Sequence, residues 1–273
     1  MNMKPDKTGI IGLGRAGGLL FKIFRHQPLY TDIQKNLSHP GKFTGLRELV
    51  RKSGIIFISV PDDKISTIVK KIALFKVDLK GKIILHLSGS YSSEILTELR
   101  ATGASTGSLH PALSIADHDW IIRNLKKFVW TIEGEKMVRR KIKRLMKRYS
   151  VKVFPISEKK KGIYHLACVF LSNLPVFNPE FGGILLRETG LEERVTRKLG
   201  HGLVLSLEHN LIKFSDKRMI TGPLVRGDVK TIRNHLKILK EKDEMFHWYI
   251  NKCRTAAEKF NLKNVSDFLR RYP

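Results

Sequence analysis

A short apolar run, Gly9-Ile10-Ile11, leads straight into Gly12-Leu13-Gly14-Arg15-Ala16-Gly17 and then into Leu19-Leu20-Phe21-Lys22-Ile23-Phe24, a segment with helical character. Strand, glycine turn and helix, in that order, form the setting in which Gly-x-Gly-x-x-Gly holds a dinucleotide. Gly12 permits the tight turn, Gly14 lets the backbone approach a pyrophosphate, and Gly17 lets helix and strand pack closely. The helix N-terminus that follows offers unpaired N–H groups and a partial positive charge to that diphosphate. Asp32 follows Gly12 by 20 residues, the spacing of an acid that accepts from a ribose 2′-hydroxyl. The bland alternative is a structural glycine turn in an α/β domain that binds no nucleotide. The motif's place on the first strand, together with Asp32, favours the cofactor.

The 273 residues suffice for one large domain or two ordinary ones. Segments 29–31, 43–44, 55–60, 82–87, 105–109, 127–132 and 151–156 read as strands. Several of them are continuous β-branched runs of the kind buried on both sheet faces. Helical patterns at 45–52, 65–73, 93–102 and through 139–148 alternate with them, which predicts a mainly parallel sheet covered on both sides. From residue 157 strand signals cease. Helices are expected at 158–174, 181–188, 192–214, 228–239, 241–260 and 265–271. The predicted architecture is therefore α/β, a Rossmann-type domain at 1–155 followed by an all-α domain at 156–273, with the boundary near Pro155.

In such sheets ligands bind beyond the carboxyl ends of the strands. That rule singles out Gly12 to Gly17, Asp32, Val60-Pro61-Asp62, Ser88-Gly89-Ser90 and His110-Pro111. Asp62 or Asp63 can cap the helix that follows, and serines after a strand do the same routinely. A second constellation is Lys161, Tyr164, His165, Ser172 and Asn173. Lys161 and His165 stand four apart and share one helical face amid apolar residues. Polar groups on a helix fit for burial are costly unless they find partners, so a site-lining stripe is the economical reading. Lysine and histidine there suit proton transfer or stabilisation of a developing alkoxide. The third is Thr221-Gly222-Pro223-Leu224-Val225-Arg226-Gly227-Asp228, with Asp228 as an N-cap and Arg226 suited to a carboxylate or phosphate. Its Arg-Gly-Asp tripeptide is not read as an adhesion motif, since nothing in the chain looks secreted.

Composition bounds the partners. The net charge is +26. It fits a nucleic-acid binder, steering of an anionic ligand, or simply a solvated basic surface. The basic residues are spread along the chain with no tail and no aromatic interleaving. The densest run, 139–148, is broken by Ile142, Leu145 and Met146 into an amphipathic helix. The solvated surface is the preferred reading, and nucleic acid ranks below it. Cys168 and Cys253 supply neither a disulfide framework nor metal-ligand spacing, so no metal is expected and a reducing cytoplasm is the simplest setting. No apolar run approaches the roughly 20 residues of a membrane span. The N-terminal residues run directly into the first strand, leaving no room for a signal peptide.

Seven blocks now stand in order: the glycine turn; Val60-Pro61-Asp62-Asp63; His86-Leu87-Ser88-Gly89-Ser90; Ser108-Leu109-His110-Pro111; Lys161-x-x-Tyr164-His165; Asn173; and Thr221-Gly222-Pro223-x-x-Arg226-Gly227-Asp228-x-x-Thr231. This order resembles a bacterial family of Rossmann-like proteins with a C-terminal helical domain of unknown function. The family is related to pyrroline-5-carboxylate reductase, prephenate dehydrogenase, the 6-phosphogluconate and 3-hydroxyacid dehydrogenases and the deazaflavin-dependent NADP oxidoreductases. The resemblance implies an NAD(P)-dependent oxidoreductase acting on a small anionic carbonyl, alcohol or imine. It also implies a C-terminal domain like that of 6-phosphogluconate dehydrogenase, which forms a homodimer, and a substrate pocket between the domains. Lys161, His165, Asn173 and His110 would be catalytic, and Ser90, Tyr164 and Arg226 would bind substrate. Gly12, Gly14, Arg15, Ala16, Gly17, Asp32, Val60, Pro61, Ser88 and Gly89 would bind NAD(H) or NADP(H). The lysine-to-asparagine spacing is longer than in the 3-hydroxyacid dehydrogenases. Asp32 stands where relatives often carry an arginine, which favours NAD(H), although Arg15 and Lys35 are near enough to accept a 2′-phosphate. The remaining alternative is a cofactor-binding protein that senses redox state or binds a partner without catalysis.

Overall fold

The computed structural model describes residues 7–24, 28–32, 42–219 and 221–272, so Lys35 lies outside the described residues. The chain forms two compact units, Met1–Leu174 and Pro175–Pro273.

The first unit is built on eight strands. They are β1 (Thr8–Ile11), β2 (Leu29–Thr31), β3 (Lys42–Phe43), β4 (Ile55–Ile58), β5 (Ile83–His86), β6 (Ser105–Pro111), β7 (Val129–Gly134) and β8 (Lys152–Pro155). Their order is β3-β2-β1-β4-β5-β6-β7-β8. Every neighbouring pair is parallel except β6 and β7. The helices are α1 (Arg15–Ile23), α2 (Leu46–Lys52), α3 (Ile65–Leu74), α4 (Thr97–Ala101), α5 (His118–Arg123), α6 (Lys136–Lys147) and α7 (Lys161–Ser172). Because side chains alternate along a strand, Ile10, Phe57, Leu85 and Leu109 join the core under α1, α5 and α6. Ile11, Ile56, Ile58 and Ile84 join the core under α2, α3 and α4. The mainly parallel three-layer architecture expected from the sequence is thus present. The basic helix buries Val138, Ile142 and Met146, as its apolar spacing requires.

The strand order reverses between β1 and β4, and that switch point places the ligand crevice at their carboxyl ends. The reversed β7 sets Glu133 beside Ser108 of β6. Helix α5 went unforeseen. It is only six residues long and starts where Asp117 accepts the N–H groups of Asp119 and Trp120. The expected boundary near Pro155 falls instead after Leu174. Helix α7 belongs with the sheet because Lys161 and Tyr164 are tied to residues of β6 and the loop after β5.

The second unit contains α8 (Phe177–Glu188), α9 (Glu193–Lys213), α10 (Val229–Ile238), α11 (Asp243–Lys259) and α12 (Lys263–Leu269). Its core is drawn from α10, α11 and α12, including Ile232, Leu236, Ile250 and Phe268. Asp228 caps α10 as expected, accepting from the N–H and the hydroxyl of Thr231. Helix α9 buries little. Leu203, Leu207 and Leu211, on one face, are 66%, 47% and 56% exposed. Among the described residues no helix is long and apolar enough to cross a membrane. No group of His, Cys, Asp and Glu in them is arranged to hold a metal ion.

Candidate functional site

The glycine turn is shaped by what a side chain would strike. Gly12 has φ +89°, and a Cβ there would stand 2.4 Å from the Ser59 carbonyl oxygen. A Cβ on Gly17 would stand 2.0 Å from the Gly12 carbonyl oxygen. Both are therefore demanded by the chain itself. Gly14 differs: it is exposed, and a Cβ there would meet nothing within 4 Å. The absence of a side chain at Gly14 serves something other than packing, such as a ligand held against the backbone. Gly14 opens onto a cavity of about 430 Å³ whose walls include Gly12, Asp32, Val60, Pro61 and Lys64. Arg15 is exposed at the head of α1, and Ala16 packs against the core. Asp32 accepts the Leu13 N–H at 2.5 Å, so its carboxylate also braces the glycine turn.

Asp62 does not cap the helix after β4. No side-chain cap is formed there, and Asp62 accepts instead from the hydroxyls of Ser88 (2.7 Å) and Ser90 (3.1 Å). The capping serine in the loop after β5 is Ser92. The loop Ser88-Gly89-Ser90 lies among histidines. His86, fully buried, donates from Nε2 to the Ser92 carbonyl at 3.0 Å and accepts the Ser88 N–H on Nδ1 at 3.2 Å. A Cβ on Gly89 would stand 2.4 Å from His165 Cδ2 and 2.8 Å from His110 Nε2, so only glycine fits between the rings. The rings of His110 and His165 are 5.9 Å apart, and His110 Nδ1 is hydrogen-bonded to the Tyr164 hydroxyl at 2.8 Å. Burial lowers the pKa of His110 to about 4, helped by the charges of Lys161 and His165 and opposed by Asp62. The ring is therefore neutral at pH 7 and acts as a hydrogen-bonding group. Burial likewise raises the Tyr164 hydroxyl above its ordinary value.

Lys161 is 1% exposed, and its ammonium donates to the Ser88 carbonyl at 3.0 Å and to Ser108 Oγ at 2.6 Å. Ser108 in turn donates to Glu133 at 3.4 Å. Glu133 is held by the N–H (2.7 Å) and hydroxyl (2.8 Å) of Ser93. Burial lowers the Lys161 pKa to about 8, while Glu133 and Asp62 pull it upward.

The structure therefore gathers Lys161, Tyr164, His165, His110 and the Ser88–Ser90 loop into one cluster. Asn173 is not part of it. It is exposed at the far end of α7, about 18 Å along the axis from Lys161, and accepts from the Ser172 hydroxyl. Ser172 also donates back to the Cys168 carbonyl. Arg226 is exposed in the second unit, near Asp228. Sequence reasoning quoted Ser108 within a motif but gave it no role, and it passed over Glu133. Ser108 sits two residues before the noted His110, whereas Glu133 is disclosed only by the antiparallel register of β7.

Sheet order, switch-point cavity and helical second unit define a Rossmann-type chain with an all-α C-terminal part. Residues 34–111 match the Rossmann-like domain family, and residues 128–254 match the family described as a domain of unknown function (DUF2520). The two matches fall in the order the motifs suggest. Among solved structures, a protein of Thermotoga maritima aligns over 97% of this chain and 100% of its own, at 23% identity and TM-score 0.66. A Bacteroides fragilis protein described as a candidate NADP oxidoreductase aligns over 93% and 98%, at 19% identity and TM-score 0.76. Pyrroline carboxylate reductase of Plasmodium falciparum, solved with NADP bound, aligns over 97% and 100%, at 17% identity and TM-score 0.63. At these identities the likeness is one of fold. No curated protein sequence matches the chain.

Proposed function

We propose that this protein is a nicotinamide-dependent oxidoreductase that passes a hydride between NAD(P)(H) and a small anionic carbonyl, alcohol or imine compound. The observation that carries this reading is Gly14. It is the one glycine of the turn that the fold does not need, and it faces the cavity at the switch point. The turn from Gly12 to Gly17 and the start of α1 hold the diphosphate, Asp32 meets a ribose, and Val60 and Pro61 form a wall. Bound there, the nicotinamide would supply or accept the hydride. Ser88 and Gly89, after β5, border its reacting end. His165 handles the proton, because His110 is neutral at working pH and Lys161 has two of its donors engaged inside the protein. Asp32 favours NAD(H) over NADP(H). The exposed leucines of α9 support a homodimer through the helical unit, and two free thiols suit a reducing compartment such as the cytoplasm.

The test is thermal denaturation with NADH and NADPH, joined to mass spectrometry of any ligand retained on purification. A ligand that binds only the folded state, at a hundredfold excess over Kd, stabilises it by about 2.7 kcal/mol. The expected result is a clear rise in Tm with NADH and a smaller one with NADPH. No rise with either overturns the assignment. Binding without turnover on a panel of keto acids, hydroxy acids and cyclic imines leaves the redox-sensor reading in its place.

A further inference from the structure

The Ser88–Gly89 peptide is held on one side only. Its carbonyl accepts from the buried ammonium of Lys161. A trans peptide directs its N–H away from its C=O, and no cis bond occurs among the described residues. The Gly89 N–H therefore points away from Lys161. Gly89 is buried, yet its N–H has no hydrogen-bond partner among the described residues. Buried backbone donors are almost always paired, so an orphan here calls for a ligand. The neighbouring group is His110, whose Nε2 lies 2.8 Å from where a Gly89 Cβ would be. If the Tyr164 hydroxyl is the donor to Nδ1, the neutral ring carries its proton on Nε2.

Building on the oxidoreductase reading, we propose that the Gly89 N–H and His110 Nε2–H form a seat for the oxygen of a substrate carbonyl, with Lys161, Ser108 and Glu133 as the positioning residues behind it. Hydride addition to the carbonyl carbon moves the π pair onto oxygen, reduced nicotinamide being the two-electron donor. That oxygen then takes a proton delivered by way of His165. A donor aimed at charge that appears only in the transition state is worth most in a dry site. Lys161 polarises the Ser88–Gly89 amide from behind, which strengthens its N–H as a donor. Ser108 and Glu133 fix the ammonium and balance its charge. Asp62, bonded to the hydroxyls on either side of Gly89, decides the class of ligand. Its negative charge disfavours a permanent carboxylate in the seat and tolerates a carbonyl that is neutral until it reacts. An imine nitrogen gains no negative charge on reduction of its protonated form, so the seat selects ketones or aldehydes over imines.

The test uses three probes of one shape, isobutyramide, isobutyrate and isobutylammonium, titrated into the full-length protein. The readout is the Gly89 amide resonance in proton–nitrogen correlation spectra, with and without NADH. Isobutyramide is expected to move that resonance downfield, isobutyrate to do so less, and isobutylammonium not at all. Ser108→Ala and Glu133→Gln are expected to weaken isobutyramide roughly tenfold or more, as loss of support for a charge-assisted bond implies. NADH affinity should stay within about twofold, which a general loss of structure would not allow. No movement of Gly89 with isobutyramide, with or without NADH, overturns the seat. The spectra of wild-type protein decide the matter even where a variant fails to fold. Failure of NADH to bind would strike the oxidoreductase reading separately, since the isobutyramide titration is also run without it.

Discussion

Gly14 and Gly17 stand three residues apart in one motif and answer to different demands. A methyl group on Gly17 collides with the Gly12 carbonyl, so Gly17→Ala is expected to lower stability by about 1–3 kcal/mol, measured by urea denaturation. Gly14 has a negative φ of −59° and open space around it, so Gly14→Ala should fold as the wild type does. The same change should abolish the Tm rise with NADH, since the methyl group occupies the ground of a phosphoryl oxygen. Equal dinucleotide binding by Gly14→Ala and wild type would remove the turn from the site. Residues with a local signature were legible beforehand: the three glycines, His110 before Pro111, and Lys161 with His165 at helical spacing. Glu133 was not, because an acid inside a strand has no meaning until the partner strand brings Ser93 and Ser108 to it. Asp62 was misread as a cap, since its true partners lie 26 and 28 residues away.

At the level of elements, β4 and β5 were readable because a strand buried on both faces needs an unbroken apolar run. The direction of β7 was not, since its residues alternate in the same way whichever way the strand runs. Helix α5 was too short for periodicity to reveal. The end of β5 carries a consequence for acid stability. Burial lowers the His86 pKa to about 4, the largest effect among its surroundings, from an ordinary 6.5. Protonation would also turn Nδ1 from the acceptor of the Ser88 N–H into a second donor. Between these two values the unfolded chain binds a proton that the folded chain refuses. Stability is thus fully present above pH 6.5 and is lost as pH falls towards 4, by roughly 3 kcal/mol for this one ring. Denaturation midpoints taken from pH 7 to pH 4 should show that slope, and His86→Gln should remove this ring's share and leave that of His110, which burial lowers to a similar value. A wild-type profile without slope in this window would mean that the ring titrates normally.

For the whole molecule, a net charge of +26 and an exposed leucine face on α9 act against each other. Two copies meeting through Leu203, Leu207 and Leu211 gain apolar burial and suffer like-charge repulsion, which salt screens. The dimer fraction in sedimentation is therefore expected to rise with salt, and Leu207→Glu is expected to yield monomers. Association with nucleic acid would do the opposite and weaken steeply as salt is added. A dimer that dissociates as salt increases would show that charge pairing, not the leucines, holds it. The division of the chain into a sheet unit and a helical unit could be anticipated from the loss of strand signals. The exact border could not, because α7, the helix just before it, is tied to the sheet by one buried ammonium. That ammonium also sets an order of events during synthesis. Domains fold from the N-terminus as the ribosome releases them, yet the Ser88 carbonyl must wait 73 residues for Lys161 to emerge. The sheet of a nascent chain can close early, while the corner around Ser88 is finished only when the last helix of that unit leaves the exit tunnel.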